Sequence, residues 1–277
     1  MRRALVTLLI GQKYRKRWQT LCESDWRSYA SRHGYDLIPI ETELDGARRA
    51  RRRSPAWQKC LVLSQEFSSR YDQIVWVDSD VAIRPDAPSV AQGVPIDTVG
   101  AVNERASPTP ERFRLADSAQ QNLWRKEGVP FVPGETAWEF YAAYGLPATF
   151  DEVVQTGVLV LSPRHHRDLL ERTYLEYEDR GSAAWNYEMR PLSFEILKAG
   201  NVHWLDPRFN LPWGLVKVLD NPDLARVGKP SALLLHPRHP LRPRLAECAR
   251  RALEDAYFLH FAGCAHEMVL LGPSTGI

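Results

Sequence analysis

Short apolar runs alternate with amphipathic segments through the first part of the chain. The continuous apolar run Ala4–Ile10, closed by Gly11, predicts a buried strand. Apolar residues then recur at helical spacing over 14–33, which predicts one helix that ends at Gly34. A second strand is expected at Tyr35–Ile40. This β-α-β order is typical of a parallel sheet covered by helices.

The most strand-like segment is Gln73–Val77, because β-branched and aromatic residues fill it. An amphipathic stretch after Pro55 predicts a helix before it. Further strands and helices are expected at Thr98–Val102, Val158–Leu161, His166–Tyr177, Asn186–Lys198, Leu245–Ala256 and Tyr257–Phe261. The pattern therefore predicts one α/β domain over residues 1–277, with a mostly parallel central sheet flanked by helices.

Composition narrows the class of protein without identifying it. Hydrophobic residues make up 44% and charged residues 25% of the 277 residues, which excludes wholesale disorder. The formal net charge of +2 gives no global field of the kind that marks a nucleic-acid or membrane binder. We therefore expect no nucleic-acid partner.

The sequence carries only weak signals for export or for insertion into a membrane. Arg2 and Arg3 followed by an apolar run resemble the start of a signal peptide, but the run stops at Gly11 without a small-residue cleavage site. The run is also far shorter than the ~20 residues that a membrane helix needs. The four cysteines form no metal-type pair and are expected to be reduced thiols. We expect a cytoplasmic protein without a transmembrane segment, and peripheral membrane contact stays open.

Acidic residues follow the most strand-like segment directly. Asp78 and Asp80 are separated by Ser79, and ligands of open α/β sheets bind outside the carboxyl ends of the strands. Carboxylate oxygens suit Mg²⁺ or Mn²⁺, which can also bind a pyrophosphate. His260, in an apolar strand that leads to Gly263, offers an imidazole nitrogen. Two alternatives to a metal site stay open. The two carboxylates could cap nearby backbone amides, and His260 could be an ordinary core residue.

Taken together, several segments resemble metal-dependent glycosyltransferases of the GT-A fold, a Rossmann-like nucleotide-diphospho-sugar transferase fold. The likeness is greatest to the fungal α-mannosyl/α-galactosyltransferase and plant xyloglucan xylosyltransferase group, and looser to glycogenin and bacterial galactosyltransferases. The matching segments are YDQIVWVDSDVAI, VVQTGVLVLSP, NYEMRPLSFEIL, YFLHFAGC and Trp57-Gln58-Lys59. The resemblance implies a nucleotide-binding half over 1–102 and an acceptor-side half over 103–277 that carries a C-terminal metal-ligand segment.

The resemblance implies a metal site and a donor site. Asp78 would touch the donor ribose or the metal, Asp80 would bind the metal, and His260 would complete the protein ligands of Mn²⁺ or Mg²⁺. The other residues expected to bind the UDP- or GDP-linked donor are Thr7, Gly11, Tyr14, Lys59, Ser79, Gly263 and His266. His266 stands where the looser relatives have a lysine that helps the leaving phosphate. In that role it would act as an imidazolium, and activity would weaken at higher pH.

The resemblance also places two residues near the transferred sugar. Gln155 belongs to a Gln-Thr-Gly segment that would form a floor beneath donor and acceptor. Glu188 lies near the expected anomeric carbon, where a carboxylate can stabilise or attack an oxocarbenium ion. The alternative for Glu188 is a solvated ion pair with Arg190. The resemblance, and not the motif itself, implies that a glycan, lipid or protein acceptor receives the sugar with retained anomeric configuration.

Two other classes of protein compete with this interpretation. In a haloacid-dehalogenase-like phosphatase, Asp78 would be the nucleophile and Asp80 the general acid, but no second acidic pair follows a later strand. The arginines at 48–53 could neutralise nucleic-acid phosphates, yet acidic residues precede them and interleaved aromatics are missing. A mobile solvated loop is the plainer interpretation of these arginines. Trp213, in an irregular stretch, is a further candidate for ligand binding.

Overall fold

The computed structural model of the chain describes residues 1–128, 136–180, 187–225 and 234–272. Its strands are β1 (Arg3–Leu8), β2 (Tyr35–Ile40), β3 (Gln73–Val77), β4 (Val81–Ile83), β5 (Val99–Asn103), β6 (Val154–Leu161), β7 (Val202–Trp204), β8 (Leu211–Pro212) and β9 (Phe258–His260). Its α-helices are α1 (Gln12–Leu21), α2 (Glu23–His33), α3 (Pro110–Lys126), α4 (Ala137–Ala142), α5 (Pro163–Glu176), α6 (Met189–Ala199), α7 (Trp213–Asp220) and α8 (Arg242–Asp255).

Six strands form the central sheet in the order β2-β1-β3-β6-β5-β7, and β6 runs antiparallel to its two neighbours. The other strand pairs in this sheet are parallel, so the predicted mostly parallel sheet is confirmed. Side chains of β3 alternate between the two faces: Val75 and Val77 join one core cluster, whereas Ile74 and Trp76 join the other. Both faces are therefore buried, as the unbroken apolar runs predict.

A second, three-stranded sheet lies at the end of the central sheet, in the order β4-β9-β8. Strand β4 follows β3 after only three residues, and Val81 is paired with His260 of β9. On the other side of β9, Pro212 is paired in parallel with the same His260. This small sheet thus joins the end of β3 to a segment near the end of the described chain.

The helix predicted over 14–33 is in fact two helices that meet at Cys22. The backbone of Cys22 departs from helical geometry, with φ −132° and ψ −37°. The Cys22 thiol and the Trp26 indole N–H both donate to the carbonyl of Val81, at 3.7 and 3.1 Å. These contacts with β4 override the local helical pattern. Gly34 ends the second helix in the left-handed conformation that its position predicts.

Two other predicted elements differ from the structure. The segment Pro55–Ser64 is a 3₁₀ helix that buries consecutive residues, including the polar Gln58 and Lys59, so no single apolar face governs its geometry. Strand β6 begins at Val154 rather than Val158 and is buried along its whole length. The predicted helix start at Asn186 lies outside the described residues, and α6 begins at Met189. None of the described helices is long and apolar enough to cross a membrane.

Candidate active site

A cavity of about 650 Å³ opens where β3 and β6 meet the small sheet. Asp78, at the carboxyl end of β3, donates its backbone N–H to the carbonyl of Gly157 in β6 at 2.8 Å. The N–H of Phe261, which follows β9, donates to the carbonyl of Asp80 at 2.9 Å. Backbone pairing therefore brings the two acidic residues, the middle of β6 and His260 to one floor.

Asp78, Asp80 and His260 form a cluster whose ligand atoms lie within 4.8 Å of one another. The Nε2 atom of His260 is 3.3 Å from Oδ1 of Asp80 and 4.0 Å from Oδ2 of Asp78. Two carboxylates and one imidazole are suitable donors for a divalent cation. The residues predicted as metal ligands are therefore together, and this cluster could bind a metal ion.

Asn210, which the sequence did not indicate, orients the imidazole. Its Oδ1 atom lies 2.9 Å from Nδ1 of His260, and its Nδ2 atom donates to Oε1 of Gln155 at 3.0 Å. Because the amide nitrogen of Asn210 donates to Gln155, its oxygen accepts the proton on Nδ1 of His260. This leaves Nε2, the ring nitrogen that faces Asp80, to bind a cation when it carries no proton. Such a hydrogen bond fixes the tautomer that a metal ligand requires.

We expect Asn210→Ala to lower Mn²⁺ affinity by about 10- to 100-fold, the usual cost of losing an outer partner of a metal ligand. Asn210→Asp retains an acceptor for Nδ1 and is expected to bind Mn²⁺ more tightly than the alanine variant. Isothermal titration with Mn²⁺ measures both values. Asn122, which is exposed and does not line the cavity, supplies the control Asn122→Ala. Equal affinity in Asn210→Ala and the unaltered protein would remove this role.

The charges on the floor act on one another. Burial lowers the pKa of His260, but Asp80 and Asp78 outweigh it and leave that pKa raised. Burial raises the pKa of Asp78, and Asp80 and Glu188 add to this effect. Burial also acts to raise the pKa of Asp80, yet His260 outweighs it, and that pKa is lowered. A bound cation would reduce the repulsion between these carboxylates.

Lys59 links the metal-type cluster to Glu188. Its ammonium lies 3.0 Å from Oδ1 of Asp78 and 2.7 Å from Oε1 of Glu188, and it donates to the carbonyl of Thr156 at 3.2 Å. Burial acts to lower the pKa of Lys59, but the two carboxylates outweigh it, so the pKa is raised and the ammonium stays charged. Glu188 is 3% exposed and lines the cavity. It is therefore not the solvated partner of Arg190 considered as an alternative.

Most of the predicted donor and sugar residues line the same cavity. Those that do so are Tyr14, Lys59, Asp78, Ser79, Asp80, Gln155, Glu188, His260, Gly263 and His266. Thr7 is fully buried and Gly11 precedes α1, and neither lines this cavity. Leu8 and Ile10, at and just beyond the end of β1, contribute to the cavity wall instead.

His266 lines the cavity, and its surroundings disfavour the imidazolium form that the expected role at the leaving phosphate requires. Burial lowers the pKa of His266, Glu267 acts to raise it, and the nearby cations of Lys217, Arg17 and Lys13 act to lower it, so that the pKa is lowered overall. The imidazole is therefore neutral at and above neutral pH. The expected loss of activity at higher pH stays a prediction.

The segment that carries His266 is anchored by a buried ion pair. Lys217 of α7 lies 2.8 Å from Oε1 of Glu267, and the indole N–H of Trp213 donates to Oε2 at 2.6 Å. Trp213 is fully buried, so the interpretation that it binds ligand from an irregular stretch is wrong. Its position at the start of α7 and its bond to Glu267 explain its burial.

We expect Glu267→Gln to destabilise the protein by about 3 to 5 kcal/mol, because it leaves the Lys217 ammonium buried without its carboxylate. Urea unfolding measures the change. The double variant Glu267→Gln/Lys217→Met keeps an acceptor for Trp213 and removes the buried charge, so it should recover most of the loss. A double variant as unstable as Glu267→Gln would contradict this explanation.

The arginines at 48–53 do not form one continuous exposed patch. Arg53 is buried, and its guanidinium lies 4.7 and 4.8 Å from the ring centres of Trp57 and Tyr174. It also donates to the backbone carbonyl of Tyr174. Arg49 is paired with Glu178 at 2.6 Å. These two arginines therefore fasten the loop to the end of α5.

Comparisons with known proteins support the fold. No protein-family model and no curated protein matches the chain. A glycosyltransferase involved in the glycosylation of the major capsid of PBCV-1 superimposes with a TM-score of 0.52 at 14% identity, covering 98% of this chain and 100% of its own. The WbbM bifunctional glycosyltransferase gives a TM-score of 0.47 at 11% identity, covering 99% of this chain and 50% of its own. The first likeness confirms the α/β, GT-A-like fold.

Proposed function

We propose that this chain is a metal-dependent glycosyltransferase, which moves a sugar from a nucleoside-diphosphate sugar to a glycan, lipid or protein acceptor. The observation that carries the proposal is the Asp78–Asp80–His260 cluster, at the floor of a large cavity in a GT-A-like fold. Ligands of open α/β sheets bind outside the carboxyl ends of the strands, and Asp78 directly follows the carboxyl end of β3.

The three side chains would hold Mn²⁺ or Mg²⁺. When bound, the cation supplies a Lewis acid that offsets negative charge on the departing nucleoside diphosphate. The protein residues hold the site in place: Asn210 fixes the tautomer of His260, and the Lys59 ammonium lies between Asp78 and Glu188, 3.0 and 2.7 Å from their carboxylate oxygens. Gln155 accepts from the N–H of Gly157 at 2.7 Å, which shapes the floor beneath the bound sugar.

Retention of anomeric configuration is the second part of the proposal. Glu188 is a buried carboxylate that lines the cavity beside the cluster, and Thr156 also donates to it at 3.2 Å. From this position it could stabilise or attack a sugar cation whose charge develops at the anomeric carbon. The support is its placement and its fixed orientation between Lys59 and Thr156. The configuration of the product, read by NMR from the anomeric coupling constant, tests this part.

The geometry at Asp78 disfavours the phosphatase alternative. Both carboxylate oxygens accept hydrogen bonds: Oδ1 from the indole of Trp76 at 2.8 Å and Oδ2 from Lys59 at 3.2 Å. A nucleophilic aspartate needs an oxygen that can approach phosphorus. Trapping with a phosphate monoester separates the two functions, because the phosphatase alone would form an aspartyl-phosphate that Asp78→Asn abolishes.

The transferase proposal is tested by release of nucleoside diphosphate from a panel of UDP- and GDP-sugars, with Mn²⁺ and with a chelator. We expect release from one donor that requires the metal and is lost in Asp80→Ala. Release of phosphate from monoesters, with no release from any nucleotide sugar, would refute the proposal.

A further inference from the structure

The face of α1 that borders the cavity carries two cations. Lys13 and Arg17 are four residues apart, so they lie on the same side of the helix, and both line the cavity together with Tyr14. The guanidinium of Arg17 lies 5.7 Å from the ring centre of Tyr14. Lys16 is exposed and does not line the cavity, and Arg15 is paired with Glu41 at 3.3 Å. The helix thus directs two of its four cations toward the site.

The charges on the cavity floor require further cations when a donor binds. Asp78, Asp80 and Glu188 supply three carboxylates, and Lys59 balances one of them. A divalent cation on the cluster would balance the remaining two. The diphosphate of a nucleotide sugar then adds two negative charges that the floor cannot match. Two cations at the rim would restore neutrality.

Among the described residues, those that follow β9 do not supply the two cations that the diphosphate requires. His266, the titratable residue at that part of the rim, is neutral at neutral pH, because burial and neighbouring cations lower its pKa. Arg17 and Lys13 are two of those cations, and both line the same cavity as His266. Lys217 is buried and paired with Glu267 at 2.8 Å, so its charge is already balanced.

We propose that Lys13 and Arg17 form the diphosphate-binding site of this protein, an inference that rests on the proposed transferase function. Arg17 presents a planar fork that matches phosphate oxygens, and Lys13 adds a point charge beside it. Stabilisation of the leaving diphosphate then comes from the first helix and not from the segment that follows β9.

The inference is tested by isothermal titration of Lys13→Ala/Arg17→Ala with four probes: Mn²⁺ alone, Mn²⁺ with inorganic pyrophosphate, Mn²⁺ with the nucleoside diphosphate that the unaltered protein binds, and the corresponding free nucleoside. Lys16→Ala, on the same helix, is the control. Each lost charged contact is expected to lower affinity about 10-fold, so the double variant should bind both phosphate probes about 100-fold more weakly. Mn²⁺ alone should bind unchanged, and Lys16→Ala should match the unaltered protein.

Each of the following outcomes would overturn the inference. Pyrophosphate affinity within twofold of the unaltered protein would show that α1 does not hold the diphosphate, while leaving the proposed function intact. An equal loss for the free nucleoside would make α1 a wall of the base pocket instead. If the unaltered protein binds no nucleoside diphosphate with Mn²⁺, the proposed function itself fails. Thermal unfolding of the variants, expected to match the unaltered protein because both side chains lie at the surface, excludes misfolding.

Discussion

Asp80→Ala is expected to abolish Mn²⁺-dependent binding of nucleoside diphosphate while the protein stays folded. Asp80 contributes one of the two carboxylates of the cluster, and its Oδ1 lies 3.3 Å from Nε2 of His260. Its side chain adds nothing to the apolar core, and its link to Phe261 is through the backbone carbonyl, which alanine keeps. The loss of Mn²⁺ affinity should exceed the roughly 10- to 100-fold loss that follows when a residue supporting a metal ligand is changed.

Titration with Mn²⁺, and with Mn²⁺ plus nucleoside diphosphate, measures this loss. Asp86→Ala is the matched control, because Asp86 is an exposed aspartate paired with Arg84 outside the cavity. The control should bind metal as the unaltered protein does. Full Mn²⁺ affinity in Asp80→Ala, with normal thermal unfolding, would show that the cluster is not the metal site.

Gly157→Ala is expected to have an effect of similar size through the backbone of β6. A Cβ atom at this position would lie 2.3 Å from Cε1 and 2.6 Å from Nδ1 of His260. Real Cβ atoms essentially never come this close, so the imidazole must shift from the position in which it contacts Asp80 and Asn210. Because His260 is itself buried in the small sheet, we expect metal binding to be lost together with about 1 to 3 kcal/mol of stability, as in other overpacked sites.

The matched control is Gly214→Ala in α7. A Cβ atom there meets no atom within 4 Å, and alanine favours helix more than glycine does. Gly214→Ala should therefore keep metal affinity and unfold at the same temperature or higher. Mn²⁺ titration and urea unfolding, run on both variants, separate lost binding from lost stability. A Gly157→Ala protein with intact Mn²⁺ affinity would refute the close approach of β6 and His260.

The local pattern of apolar and polar residues predicted the elements that it marks clearly. The buried strand β3 and the acidic residues after it follow from an apolar run that ends at a polar motif. The break between α1 and α2 could not be predicted, because hydrogen bonds from Cys22 and Trp26 to Val81 set it. The 3₁₀ geometry of Pro55–Ser64 likewise depends on tertiary packing around an internal lysine.

The residues of the site also fall into those that the local sequence predicts and those that tertiary contacts bring together. Asp78 and Asp80 follow from their position at a strand end, whereas the residues alone offered His260 only as a candidate, and the resemblance placed it with them. Pairing of β4 with β9 is what brings His260 to Asp80, and no sequence pattern encodes it. Asn210 was missed for the same reason: it precedes β8, a strand of two residues that is too short to be recognised.

The cations of α1 were missed for a different reason. Lys13 and Arg17 have an ordinary helical spacing, and a helix with four basic residues is typical of a solvated surface. Only the position of α1 over the cavity distinguishes these two from Lys16. Their spacing, combined with the end of β1, is the signal that could have indicated them.

The most direct test of the central claim is thermal unfolding with UDP, GDP and other nucleoside diphosphates, each with and without Mn²⁺. A ligand at 100 times its Kd stabilises a protein by about 2.7 kcal/mol, which corresponds to about 5 to 10 °C for a protein of this size. We predict such a shift for one nucleotide, and only when the metal is present. No shift with any combination of nucleotide and metal would contradict the assignment of the cavity as a nucleotide-sugar site.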